Sequence, residues 1–397
     1  MAASMQVEQQ VGAKPAAVYY AFTNNTALSE WLCGFALVHP NPGQNLYLLW
    51  QDGYYAAGSY TEVVENERLR FTWRGKDEPA ASEVTVVLAP AGGGTRVTVT
   101  HSGLPDGSAD AQRSRWASAL ENLASTLETG IDLRYARRPM LGVFIDEVSE
   151  DLAARVGLPD RRGIALTGVL DGMSAQRAGL GRDDVLLAID GQETPDFFSL
   201  GAVMSSKQAG DTVRVTYFRD GARHTMPLML MPPPIQEVPA APADLAAEVE
   251  RHYAEGLAKL EAFLDGVSEG EADFLPGAGE WSVRQTLGHL IANERDNHPR
   301  ASITAAGLRE PEDGFWNNSL LRILPILESY PTLPELAAEL RRCMAQTVSM
   351  LRHLPPEFLE RKASYRRLAV DLLEYAAHHI NEHFDQMERA LAAARVA

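Results

Sequence analysis

Hydrophobic and polar positions change their period along the chain, and these changes divide it into three parts. Up to about residue 105, short runs such as EVTVVLAP alternate apolar and polar residues, which predicts strands separated by turns. In residues 110–130, apolar positions recur every three or four residues, which predicts a long helix. Alternating runs return after residue 140, and after residue 244 the period is helical to the end.

Prolines concentrate between the second and third parts, in residues 233–244. Proline fixes φ and lacks a backbone donor, so this segment is predicted to be an extended linker. We therefore predict domains at 1–135, 138–232 and 245–397, and we expect the last one to move independently.

Charge and cysteine content narrow the function classes. The net charge of −17 argues against non-specific binding to nucleic acid or to an anionic membrane, since both require basic patches. Cys33 and Cys343 lie far apart in the sequence, which argues against a disulfide framework. No basic leader or long apolar run is seen, so we expect a cytoplasmic protein.

The histidines near the C-terminus suggest a metal site. His379 and His383 lie one helical turn apart at the edge of an apolar stripe, so both imidazoles can reach one ion. His289, about ninety residues upstream, lies at the edge of another buried helical stripe. Three histidines would form an open, catalytic type of site, whereas the alternative is a solvated helix edge. Glu294 is the candidate general base, and a role in orienting the ligands is the alternative for it.

The first part resembles the START-like (SRPBCC) superfamily. VYYAFTNNTALSEWL and GSYTEVVENERLRFTW are similar to the branch related to the activator of the heat-shock protein 90 ATPase. The resemblance implies a helix-grip fold with an apolar cavity for a small hydrophobic ligand, or a contact with a chaperone. Trp73, Trp116 and Leu120 would line that cavity. The alternative is that these side chains simply fill the core.

The second part resembles a PDZ domain through GIALTGVLDGMSAQRAGLGRDDVLLAIDGQ. This implies a β-sandwich or barrel that binds the C-terminal peptide of another protein as an added strand. The expected peptide-binding residues are Met140, Leu141, Gly142, Val143 and Phe198. Leu200 and Val203 would add to the groove wall. The alternative is a groove that is empty or filled by the chain's own linker.

The third part resembles the DinB-like family through EWSVRQTLGHLIANE and LLEYAAHHINEHFDQM. The resemblance implies an all-α, up-down four-helix bundle that can dimerise and binds a divalent metal through His289, His379 and His383. Zn²⁺ or Ni²⁺ is the expected metal, with a low-molecular-weight thiol as a further cofactor. Family members often carry His-Arg-Gly-Gln where this chain has His383-Phe384-Asp385-Gln386, which puts the substrate chemistry in doubt.

These observations predict a multidomain α+β protein and two functional hypotheses. In the first, it is a cytoplasmic stress or detoxification protein whose bundle is a thiol-dependent transferase or hydrolase. In the second, it is a non-enzymatic adaptor or a chaperone-linked binding protein.

Overall fold

The computed structural model describes residues 3–309, 311 and 318–397, and the chain divides into two compact units. One unit combines the N-terminal part up to Ile131 with Glu237–Ala397, and the other is Asp132–Gln236. The expectation that the helical part moves independently is therefore wrong, because it shares a unit with the N-terminal domain. Within the described residues, no helix is both long and apolar enough to cross a membrane.

The N-terminal domain has the predicted helix-grip architecture. An antiparallel sheet in the order β1-β7-β6-β5-β4-β3-β2 packs its apolar face against one long helix, α3. Its elements are β1 (Ala3–Val11), α1 (Pro15–Thr23), α2 (Asn25–Trp31), β2 (Phe35–Val38), β3 (Asn45–Leu49), β4 (Tyr55–Val64), β5 (Arg68–Gly75), β6 (Ser82–Ala91), β7 (Gly94–Leu104) and α3 (Ala109–Thr129).

The residues expected to line an apolar cavity lie in the core of this domain. Trp73 and Trp116 are both 4% exposed, and their ring centroids are 5.9 Å apart. Leu120 is buried in the same cluster. These side chains pack against one another, and a ligand between them stays a prediction.

The middle domain is a single antiparallel sheet with short helices. Its strand order is β13-β12-β10-β9-β8, with β11 paired to β10, so β8 lies at an edge. The elements are α4 (Leu133–Ala136), β8 (Val143–Glu147), α5 (Glu150–Val156), β9 (Ile164–Val169), α6 (Ser174–Ala178), β10 (Val185–Ile189), β11 (Gln192–Glu193), α7 (Phe197–Met204), β12 (Thr212–Arg219) and β13 (Ala222–Met229). A bridge between Met140 and Met231 joins the two ends of the domain.

The C-terminal part is a helical bundle. Its long helices α8, α10, α12 and α14 pack around one apolar core. The elements are α8 (Pro242–Leu264), α9 (Glu269–Asp273), α10 (Val283–Ala305), α11 (Leu320–Ser329), α12 (Leu333–Arg352), α13 (Pro356–Leu359), α14 (Lys362–Glu382) and α15 (Phe384–Ala394). Helix α10 begins with a capping box, in which the Ser282 and Gln285 side chains accept hydrogen bonds from each other's backbone N–H groups.

The last helix differs from the prediction because it is interrupted at His383. The pattern predicts one continuous helix, whereas α14 ends at Glu382 and α15 begins at Phe384. The His383 N–H bonds to the oxygen of Ile380 (3.2 Å), which is the tighter i→i−3 spacing. The interruption therefore falls at one of the predicted metal ligands.

The first turn of α14 is attached to the N-terminal domain by polar contacts. Three side chains of this turn donate hydrogen bonds to that domain: Ser364 Oγ to Glu30 Oε1 (2.6 Å), Lys362 Nζ to the oxygen of Glu128 (2.5 Å), and Arg361 to Tyr20 Oη (3.2 Å). The Arg361 guanidinium also lies over the Tyr20 ring, 5.7 Å from its centroid. Helix α14, which carries His379 and ends just before His383, is thus fixed at its other end by a different domain.

Candidate metal centre

Three histidines from two helices meet at one end of the bundle. His289 lies on α10, His379 on α14, and His383 at the junction of α14 and α15. One ring nitrogen from each can be chosen so that all three lie within 4.8 Å of one another. The ring centroids are 4.8–5.4 Å apart. The structure therefore brings together the three residues that the sequence analysis names as ligands.

Burial keeps at least one of these imidazoles neutral. The pKa of His379 is lowered to about 3, mainly because burial removes the ring from solvent and also because His383 and His289 lie nearby. A neutral imidazole keeps a lone pair on one ring nitrogen, which a metal ion requires. The donor set therefore fits a cation that prefers nitrogen ligands, such as Zn²⁺ or Ni²⁺.

Side chains around the cluster orient two of its rings. His383 Nδ1 is 3.0 Å from Gln386 Oε1, and the amide of Asn293 donates to His379 Nε2 (2.8 Å). Tyr375 stacks on His379 with ring centroids 4.6 Å apart. Tyr375 is not predicted from the histidine spacing, although its position one turn before His379 on the same helix is a usable signal.

Glu294 lies behind the cluster rather than in it. Its side chain is fully buried and accepts hydrogen bonds from Tyr253 Oη (3.0 Å) and Thr347 Oγ1 (2.5 Å). Burial raises the pKa of Glu294, although these hydrogen bonds act in the other direction. It also hydrogen-bonds with Tyr375, which in turn packs on His379. This position favours a role of Glu294 in orienting the ligands over a role as a general base.

An open groove of about 590 Å³ lies beside the cluster along α14. His378, which the periodicity places on the helix surface, is exposed and lines this groove together with His379. The other lining residues are Arg300, Asp371, Glu374, Tyr375 and Glu382. Small molecules can therefore approach His379 from solvent.

The expected peptide-binding turn precedes edge strand β8. Gly142 has φ +77°, and an added Cβ would lie 2.3 Å from Met173 Cβ, so this position requires glycine. Phe198 is 88% exposed and Phe144, on β8, is 54% exposed. Leu200 and Val203 pack into the domain core, and their place in the groove wall stays a prediction.

Three family models match the chain in succession. Residues 12–128 match "Activator of Hsp90 ATPase homolog 1-like protein", residues 134–230 match the PDZ domain, and residues 252–387 match the DinB superfamily. The histidine cluster falls inside the last match. The bundle is DinB-like.

Individual relatives resemble only parts of the chain. A probable periplasmic serine protease do/HhoA-like of Haemophilus influenzae is 32% identical over 28% of this chain and 24% of its own length. The magnetosome formation protease MamE of Paramagnetospirillum magneticum is 35% identical over 28% of this chain and 14% of its own. The chain thus spans a quarter or less of these relatives. The solved structure of protein CV1439 from Chromobacterium violaceum is 29% identical, covering 31% of this chain and 94% of that one, with a TM-score of 0.28.

These relatives overturn the expected location and the functional hypothesis built on it. We expected a cytoplasmic stress or detoxification protein, but the relatives that match the PDZ region are named as periplasmic or magnetosome proteases. Cys33 and Cys343 are both free and buried, so their thiols give no information on the location. A buried thiol is protected from oxidation and therefore does not report the redox state of its compartment.

Phe384 and Asp385, which replace the arginine and glycine of the family's His-Arg-Gly-Gln motif, have local effects in the DinB-like bundle. Phe384 packs edge-on against Phe263, with centroids 6.0 Å apart, and so contributes to the core. Gln386 keeps its place next to His383 Nδ1. The substitutions thus leave the histidine cluster and its glutamine contact intact.

Proposed function

We propose that this protein holds a divalent cation in the histidine cluster of its DinB-like bundle and binds protein chains through its PDZ domain. The observation that carries the proposal is the convergence of His289, His379 and His383, with ligating nitrogens within 4.8 Å. Zn²⁺ and Ni²⁺ both accept imidazole ligands, so the three histidines form a donor set that fits either ion.

Three protein ligands leave a coordination position for an exchangeable molecule. A bound divalent cation supplies Lewis acidity to whatever occupies that position. Water or a low-molecular-weight thiol is the ligand class we propose for it. His289 is 4% exposed, whereas His379 also lines the outer groove, so the exchangeable molecule enters from the side of α14.

The PDZ domain supports the second half of the proposal. β8 lies at an edge of its sheet and follows the Gly142 turn, an arrangement that accepts an additional strand. The relatives matching this region are named as periplasmic proteases, so we propose that the protein acts in the bacterial periplasm. There it would recognise peptide or protein chains.

The first experiment is a measurement of metal content. The untagged protein is expected to retain about one first-row metal per chain, and a His289→Ala, His379→Ala, His383→Ala variant is expected to retain none. His378→Ala is the matched control, because His378 is exposed on the same helix and lies outside the cluster. A wild-type protein that stays metal-free after incubation with Zn²⁺ and Ni²⁺ contradicts the proposal.

A further inference from the structure

Two histidines of the cluster are hydrogen-bonded to side-chain amides, and the two hydrogen bonds run in opposite directions. The Gln386 oxygen that faces His383 Nδ1 at 3.0 Å is an acceptor, so Nδ1 carries the proton and donates. The lone pair of His383 is then on Nε2, where it is available to a cation. This is the usual arrangement around a metal-binding histidine, in which the second ring nitrogen donates to a fixed acceptor.

His379 has the reverse arrangement. The atom of Asn293 that faces His379 Nε2, at 2.8 Å, is the amide nitrogen Nδ2, which can only donate. Nε2 therefore accepts with its single lone pair, and the ring proton is on Nδ1. Neither nitrogen of His379 has a lone pair available for a cation while this hydrogen bond exists.

The ring of His379 is restrained in this position. Tyr375 stacks on it with an interplanar angle of 24°, and Tyr375 is itself hydrogen-bonded to the buried Glu294. Asn293 projects from α10, one turn after His289. The donor to His379 therefore comes from a helix that also carries a histidine of the cluster.

We propose that Asn293 controls the access of a cation to His379. If the cation uses Nε2, the amide must release that lone pair. If the cation uses Nδ1, the ring proton must move to Nε2, which can then no longer face an N–H donor. In both cases binding has to break the hydrogen bond from Asn293 Nδ2 to His379 Nε2, so Asn293 is a positioning residue that holds His379 in a non-ligating state. The inference rests on the proposed function.

The decisive comparison is cation affinity in the full-length protein, measured by chelator competition with Zn²⁺ and Co²⁺. Asn293→Ala removes a hydrogen bond that binding has to break, so we expect affinity to rise by about three- to tenfold. Gln386→Ala removes an acceptor that favours binding, and we expect affinity to fall by roughly tenfold or more. Asn381→Ala, an exposed asparagine of α14 bonded to Lys259 and to the oxygen of Ala377, should leave it unchanged.

A substitution that only damages the packing does not raise cation affinity. A rise in the affinity of Asn293→Ala therefore distinguishes the positioning role of Asn293 from a general loss of packing. Unchanged or weaker binding by Asn293→Ala, with wild-type circular dichroism, overturns the inference. A wild-type protein that binds neither cation refutes the proposed function itself.

A second measurement tests the hydrogen bond without any metal. In ¹⁵N-histidine-labelled wild-type protein, long-range ¹H–¹⁵N spectra should show His379 protonated on Nδ1. Asn293→Asp keeps the volume but can only accept a hydrogen bond at neutral pH, so it should shift the proton to Nε2. A wild-type His379 already protonated on Nε2, or an unchanged tautomer in Asn293→Asp, overturns the inference even if Asn293→Ala fails to fold.

Discussion

Burial lowers the pKa of both His101 and His379, and their neighbours give these two histidines different roles. His379 lies among other imidazoles, whereas His101 is enclosed in the core of the START-like domain. Trp116 Nε1 donates to His101 Nδ1 (3.3 Å), so the other nitrogen, Nε2, donates to Ser82 Oγ (2.7 Å). Ser82 in turn donates to the oxygen of Trp73 (3.0 Å). Because His101 donates to the serine, it cannot act as a base towards it, and the pair is structural.

The buried His101 should make stability depend on pH. Its pKa is lowered from 6.5 to about 4 by burial, so the unfolded chain binds a proton more readily than the folded one. The contribution of this group is fully present above pH 6.5 and is lost as the pH falls towards 4. We expect the free energy of unfolding to be about 2 kcal/mol lower at pH 5 than at pH 7.5 from this residue alone.

Denaturant titrations at several pH values check this expectation. His101→Gln preserves a donor to Ser82 but does not titrate, so its stability should depend less on pH in this interval. The exposed His39 provides the control, since His39→Gln should keep the wild-type pH dependence. Equal pH dependence in the wild type and His101→Gln would contradict the assignment.

The sequence could predict which residues meet in the cluster, but not which ring nitrogen of each histidine carries the proton. Helical periodicity places His379 and His383 on one edge, and the capping box at Ser282 fixes the start of the helix that carries His289. The hydrogen bond from Asn293 depends on the rotation of α10 against α14, which periodicity alone does not give. Family resemblance names ligands, and it likewise does not assign the proton of His379.

At the scale of elements, the interruption at His383 was not predictable from its neighbours. Phe384 and Asp385 are neither glycine nor proline, so no local signal ends the helix there. The four residues of strand β2 are too short to show a clear alternation, so the pattern does not predict this strand. The longer helix α3, which the pattern predicts over residues 110–130, spans Ala109–Thr129.

Arg361 contributes to the attachment of α14 to the START-like domain and also makes contacts within the bundle. Arg361 bonds to Tyr20 Oη and to the oxygen of Ala305, and it lies 5.0 Å from the Phe358 ring centroid. We expect Arg361→Ala to lower the free energy of unfolding by about 1–3 kcal/mol, because it removes charge-assisted hydrogen bonds and ring contacts. Calorimetry should then show the unfolding of the two domains separating into distinct transitions.

Arg389→Ala is the control for this substitution, since Arg389 is exposed on α15. It should leave the calorimetric profile unchanged. A single transition at the wild-type temperature in Arg361→Ala would show that the polar contacts of the α14 first turn do not hold the two domains together. The sequence gives no sign of this contact, because Arg361 and Tyr20 are 341 positions apart and both are ordinary surface residue types.

At the scale of the whole molecule, the PDZ domain is an insertion within a larger unit. Ile131 and Glu237 belong to the same compact unit, and the intervening residues form their own core. We expect that replacing residues 132–236 with a flexible Gly/Ser linker of about 20 residues preserves the fold and the metal content of the remainder. Metal analysis and thermal unfolding of the shortened protein check this, and loss of bound metal would contradict it.

The bridge between Met140 and Met231 has a consequence for how such a protein can evolve. Because the chain enters and leaves the PDZ domain through paired neighbouring residues, the domain needs only one closely spaced pair of connection points. Recombination between genes could exchange this segment for another recognition domain without rebuilding either flanking fold. The choice of binding partner could then diversify across lineages while the histidine cluster stays under separate selection.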